Sequence, residues 1–193
     1  MRLGETNMDN TATPGTDAGP IHVRTYRQAD SGAVGRLIAD TFAEYNLSSV
    51  TAEQRDLLLG PFLYARSPDP DHQAAIAQAI LSEMVFVAEC GGEIVGVLRG
   101  RITRLGSLFV RGDCHRQGIA RRLVDRFERE VAAQGGATIK VAATLYAVPF
   151  YLAVGYKRTT GVRGYHAFGG SGMEYQPMKK VLDSAQPRGE EAG

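Results

Sequence analysis

Ser107-Leu108-Phe109-Val110-Arg111-Gly112-Asp113-Cys114-His115-Arg116-Gln117-Gly118-Ile119-Ala120-Arg121-Arg122-Leu123 joins an apolar, β-rich run to a strongly helical one through a short polar turn. The turn contains a glycine, and arginines crowd the positions around it. A helix N-terminus leaves up to four backbone N–H groups without partners and bears roughly half a positive charge from its aligned peptide dipoles. Gly118 has no Cβ to obstruct an anion approaching those amides, and Ala120 is small enough to do the same. Arg116, Arg121 and Arg122 add mobile positive charge, although their side chains cannot all face one ligand. Two readings fit: a phosphate-binding corner between strand and helix, or an ordinary turn followed by a solvated basic face. One glycine of GxGxxG is missing, and no lysine and hydroxyl follow as in GxxxxGK[ST].

Outward from this corner the chain alternates strand and helix. Leu105 to Val110 reads as a strand, and Ile119, Leu123, Phe127 and Val131, four apart, give the next helix an apolar face that Gly135-Gly136 terminates. Ile139 to Ala142 reads as a buried strand, Val148 to Val154 as a short helix, and Tyr165 to Val181 as two closing strands. Upstream, Ile21 to Tyr26 alternates like a half-buried strand, with Asp30 placed to cap a helix bearing Val34, Leu37, Ile38, Phe42 and Tyr45. Helical stretches follow over Thr51 to Tyr64 and after Ser67-Pro68-Asp69-Pro70. Met84 to Ala88 and Ile94 to Leu98 form a hairpin across Cys90-Gly91-Gly92-Glu93. No internal repeat occurs. The expected architecture is α/β: one mixed sheet covered by helices on both faces.

The 193 residues suit one domain, expected over residues 21–182, with loose tails at 1–20 and 183–193 that carry too little apolar surface to offset their ordering entropy. Hydrophobic residues at 44% and charged ones at 22% are the balance of a globular protein. A net charge of +1 supplies no strong field, so composition points neither to nucleic acid nor to an acidic membrane surface. Cys90 and Cys114 form no CxxC, and the four histidines are scattered, so no metal site is expected. No apolar run nears the roughly 18 residues that span a bilayer, and the expectation is a cytoplasmic protein.

Two stretches together resemble a known family. Leu108-Phe109-Val110, the turn, and Arg116-Gln117-Gly118-Ile119-Ala120 are similar to the acyl-CoA pyrophosphate loop of the GNAT superfamily of N-acetyltransferases, Gln/Arg-x-x-Gly-x-Gly/Ala. Ala147-Val148-Pro149-Phe150-Tyr151-Leu152-Ala153-Val154-Gly155-Tyr156 resembles its second signature, Ala-x-x-Phe-Tyr-x-x-x-Gly-Phe/Tyr, in the same order and at the same separation. The resemblance implies a single, mostly antiparallel sheet of six to seven strands with a splayed parallel pair holding the coenzyme. It implies an acetyl-CoA-dependent N-acetyltransferase acting directly on an amine of a small molecule or protein, with acetyl-CoA as cosubstrate and no metal. Coenzyme contacts would come from Leu108, Phe109, Val110, Arg116, Gln117, Gly118, Ile119, Ala120, Arg121 and Thr144. The Val110 N–H would receive the oxyanion, and the Tyr151 phenol would serve the departing sulfur. Phe150 and Tyr156 would pack.

Three positions depart from the family pattern: His115 replaces Gln or Arg, Thr144 replaces an Asn, and Leu105-Gly106-Ser107 contains no carboxylate. The general base is therefore open among Glu83, Glu89, Glu93, His166 and a water relay. Cys114 lacks the neighbours of a nucleophile. Tyr45, Asn46, Tyr64, Tyr165 and His166 are candidates to line the acceptor groove, and the absence of a dense acidic cluster disfavours a polycationic acceptor. A homodimer is compatible with the sequence. The competing reading is a catalytically silent acyl-CoA-binding sensor of the same fold, which would have no need of a phenol at the sulfur.

Overall fold

A computed structural model describes residues 19–182. The expected tails, 1–20 and 183–193, lie outside the described residues except for Gly19 and Pro20, and the Gly19 carbonyl accepts from the Cys90 thiol at 3.1 Å. The strands are β1 (His22–Thr25), β2 (Met84–Cys90), β3 (Glu93–Arg101), β4 (Arg104–Val110), β5 (Thr138–Thr144), β6 (Lys157–Arg158), β7 (Arg163–Ala167) and β8 (Gly170–Val181). The helices are α1 (Ser31–Tyr45), α2 (Ala52–Leu59), α3 (Pro70–Ile80), α4 (Ile119–Ala133) and α5 (Val148–Ala153). They build one eight-stranded sheet in the order β1-β2-β3-β4-β5-β8-β6, with β7 also pairing β8. The count exceeds the expected six to seven because β6 is two residues long, too short to leave a periodic signal.

Two apolar layers sandwich the sheet. On one face α4 lays Ile119, Leu123, Phe127 and Val131 against Leu98, Leu105 and Ile139, all fully buried. Gly100 on β3 permits this approach, since a Cβ there would sit 2.6 Å from the Phe127 ring. On the other face α1, α2 and α3 pack Val34, Ile38, Leu58 and Ile76 over Val85, Val87 and Val97. Strands buried on both faces explain the continuous apolar runs Met84–Ala88 and Val95–Leu98.

All strand pairs are antiparallel except β4 with β5, which run parallel and register only at Arg104↔Lys140 and Leu105↔Val141. Pairing stops where β4 bulges: Gly100 faces Leu105 while Arg99 faces Ser107, so Gly106 is an extra residue. Beyond it β4 stays with β3 as far as Val110, β5 stays with β8 as far as Thr144, and the two diverge into a wedge.

Asp30 precedes α1 as expected but does not cap it. Its carboxylate accepts instead from the Arg27 N–H at 2.7 Å and from the Arg24 guanidinium at 2.7 and 2.9 Å, an ion pair that binds β1 to the helix entry. Arg24 also reaches Glu89 on β2.

Candidate functional site

The wedge opens into a cleft of about 550 Å³ whose lining contains Leu108, Phe109, Val110, Arg116, Gly118, Ile119, Ala120, Arg121, Thr144 and Tyr151. Gln117 is the exception among the expected coenzyme contacts: its side chain turns back to donate to the Asp113 carbonyl at 3.3 Å. Arg122 likewise faces elsewhere, toward the Ile21 carbonyl. Among the described residues no acidic side chain lines this cleft, whereas Arg116 and Arg121 do.

Backbone geometry at the corner suits an anion. Gly118 is the residue before α4 and holds φ +80°, and a Cβ there would meet nothing within 4 Å, so the space before it is open. Arg116 is also left-handed, at φ +62°, a conformation that costs a non-glycine residue roughly 1–2 kcal/mol. The first intrahelical bond runs from the Arg122 N–H to the Gly118 carbonyl at 3.0 Å. The amides of Ile119, Ala120 and Arg121 therefore have no partner within the helix. Alternating left-handed residues followed by such amides form a concave array of donors, the arrangement that receives phosphate oxygens.

Strand pairing decides which way the β4 amides face. Arg111 donates to the Val95 carbonyl at 2.9 Å, which makes Phe109 and Val97 the next hydrogen-bonded pair and leaves Val110 opposite Gly96 as a non-bonded one. The N–H and C=O of Val110, and of Leu108 two residues back, consequently point away from β3 and toward the wedge. The Val110 carbonyl is taken by the His115 ring at 2.8 Å, and His115 packs at a tilt against Tyr45 with centroids 4.9 Å apart. His115 thus serves to fix the turn after β4.

Tyr151, 4% exposed, sits on α5 between the cleft and a second cavity of about 180 Å³. Its hydroxyl makes no hydrogen bond among the described residues, and burial pushes its ionisation above the ordinary value of 10.0. The phenol is a neutral donor. Phe150 and Tyr156 pack edge-on against its ring, at 5.2 and 5.4 Å. Cys114 borders the cleft, but burial raises its thiol above the usual value, which disfavours the thiolate that covalent chemistry would need.

The second cavity lies on the α1–α3 side of the sheet, walled by Ile38, Phe42, Leu58, Phe62, Phe109, Tyr165 and Met173 and shared with the first along Asn46, Leu108, Thr144, Ala147 and Tyr151. Asn46 and Tyr165 line it as expected, and Tyr45 lines the larger cleft. Tyr64 does not, because it stacks on His72 at 4.1 Å on the surface, and His166 is exposed on β7. None of the base candidates reaches either cavity. Glu89 is held by Arg24 at 2.5 Å, Glu93 by Arg111 at 2.7 Å, and Glu83 accepts from the Ile102 N–H. The cavity holds two cations that were not anticipated, Arg99 and Arg104. Arg99 had a signal: two residues after Val97 it falls on the same face of β3, where an apolar residue would be the ordinary choice. Among the described residues no group of three or more His, Cys, Asp and Glu side chains could hold a metal, and no helix is long and apolar enough to cross a membrane.

A sheet split at a parallel pair, with unpartnered helix amides at the mouth of the split, defines an α/β fold with an anion-accepting cleft. A profile of the acetyltransferase (GNAT) domain matches residues 66–182, more than half of the chain, and the protein belongs to that family. Among solved structures the chain is similar to a GCN5-related N-acetyltransferase from Rhodopseudomonas palustris, at 18% identity and TM-score 0.68 over 87% of this chain and 99% of that one. It is similar to the PaiA N-acetyltransferase from Thermoplasma acidophilum in complex with coenzyme A, at 13% identity and TM-score 0.62 over 84% and 99%. It is also similar to yncA of Salmonella typhimurium, a putative acetyltransferase with acetyl-CoA, at 16% identity and TM-score 0.55 over 89% and 99%. Curated protein sequences gave no significant match.

Proposed function

We propose that the protein is an acetyl-CoA-dependent N-acetyltransferase that moves the acetyl group directly from the thioester to an amine held in the smaller cavity. The observation that carries this reading is the position of Tyr151, whose unpartnered phenol stands where the coenzyme cleft and the second cavity meet. The amides at the start of α4, with Arg116 and Arg121, would hold the diphosphate. The thioester would pass along β4, where the Leu108 and Val110 amides face the wedge and the Val110 N–H receives the developing oxyanion. The amine nitrogen forms its bond to the acetyl carbon, the carbon–sulfur bond breaks, and the proton released from nitrogen ends on sulfur. A phenol less acidic than usual does not surrender its proton to a thiolate outright, so Tyr151 acts by hydrogen-bonding the departing sulfur.

Among the described residues neither cavity offers a carboxylate to take the proton of the acceptor ammonium. The two arginines of the acceptor side lower the ammonium's pKa by like-charge repulsion, and water can then carry the proton out. This favours the water relay over a dedicated base.

The test is release of free thiol from acetyl-CoA with a panel of amines. Tyr151→Phe is expected to lower kcat about a hundredfold with little change in KM for acetyl-CoA, on the scale of losing one donor to a developing charge. Tight coenzyme binding with no turnover of any amine by the native protein would favour the sensor reading instead.

A further inference from the structure

Arg99 occupies an unusual position for a charged side chain. It projects from β3 into the layer beneath α1 and α3, and burial lowers its pKa from the ordinary value. No carboxylate pairs with it among the described residues. Its guanidinium is fixed by two neutral acceptors: Nε donates to the Ser107 hydroxyl at 3.0 Å, and Nη1 donates to the Ala79 carbonyl in the last turn of α3. The third nitrogen, Nη2, has no hydrogen-bond partner among the described residues, and Arg99 borders the acceptor cavity. A desolvated cation held rigidly without a counter-charge is costly to keep. An arriving carboxylate would satisfy it, and a pre-oriented guanidinium loses little freedom in doing so. Arg104 adds a second positive charge to the same lining, which contains no aspartate or glutamate among the described residues.

Resting on the transferase reading, we infer that the acceptor is a small amino carboxylate with an apolar body, its carboxylate received by Arg99 beside Ser107 and its amine directed toward Tyr151. The size fits: about 180 Å³ is below the roughly 300–1,000 Å³ of sites for drug-sized ligands. Phe42, Phe62 and Met173 in the same lining supply apolar surface for the body of such an acceptor. A polyamine or basic acceptor is opposed by the same charges.

Two measurements test this. Thiol release is compared for leucine, phenylalanine and β-alanine and, in parallel, for the amide of each. At least one carboxylate is expected to exceed its amide about tenfold or more in kcat/KM, as a charge-assisted hydrogen bond implies. Arg99→Gln should abolish that preference by raising KM for the acceptor while leaving KM for acetyl-CoA unchanged, and Arg99→Lys should restore part of it. If Arg99 only ties α3 to β4, the variants would lose thermal stability but keep the preference, and the inference fails. Calorimetry of the corresponding N-acetyl acids and N-acetyl amides with the coenzyme A-loaded protein reads the subsite without turnover. Selective binding of the acids with no thiol release would preserve the carboxylate subsite and overturn the transferase reading. Equal binding of acids and amides, or none of either, together with no carboxylate preference in turnover, overturns the inference.

Discussion

Gly118 combines two requirements that only glycine among the residue types meets together: a left-handed φ of +80° and an unobstructed approach to the amides that follow it. Gly118→Val would strain the backbone by roughly 1–2 kcal/mol and place a branched side chain where the diphosphate is expected. Coenzyme affinity by calorimetry should fall by roughly 2–3 kcal/mol, while circular dichroism of the variant stays native-like. Unchanged affinity would mean that the corner does not hold the coenzyme. Tyr151 makes a prediction of opposite character. Because burial raises its ionisation above 10.0, the phenol remains protonated through the working range. The pH profile of kcat should therefore rise as the acceptor amine deprotonates and show no alkaline fall below about pH 10 from loss of this donor. Gly118 drew attention through a local glycine and helix-start pattern, and Tyr151 through the resemblance of Ala147 to Tyr156 to the family's second signature. Arg99 and Ser107 were not legible as a pair, since they meet only through the β3–β4 register and a bulge at Gly106 that no sequence period marks.

At the scale of elements, the junction between β1 and α1 depends on the ionised form of Asp30. Arg24 holds its carboxyl below the usual range, and the Arg27 N–H assists, against the opposing effect of burial. A carboxyl with a depressed folded-state pKa stabilises above its unfolded value, and that stability is lost as pH falls through the folded one. Denaturant midpoints should therefore drop below about pH 4, and Asp30→Asn should flatten that acid dependence while costing roughly 1–3 kcal/mol at neutral pH. A variant with the native acid slope would show that the pair contributes nothing to folding. Long elements such as α4 were readable from Ile119, Leu123, Phe127 and Val131 alone, because a four-residue spacing survives any environment. The role of Asp30 was misread. A cap is a local feature, but Arg24 competes for the same carboxylate across a strand-to-helix contact.

The whole molecule is a sheet held together at its base and parted at one end. Coenzyme bound across that parting would tie β4 and α4 to β5 and α5, and any ligand that binds only the folded state raises its stability. Acetyl-CoA at a hundred times its dissociation constant should add about 2.7 kcal/mol, or roughly 5–10 °C in Tm, and this shift should shrink sharply in Gly118→Val. A thermal scan with no shift would contradict coenzyme binding at the wedge. The sequence by itself determined the helix and strand periods, the glycine corner and the aromatic segment around Tyr151, because these depend on neighbours a few residues apart. Tertiary structure alone decided that β4 and β5 part after Leu105, that the carboxylates proposed as bases are engaged elsewhere, and that a cation with no counter-charge among the described residues borders the second cavity. Those features are set by pairing between residues far apart in the chain, and side-chain spacing along one strand carries no record of its partner.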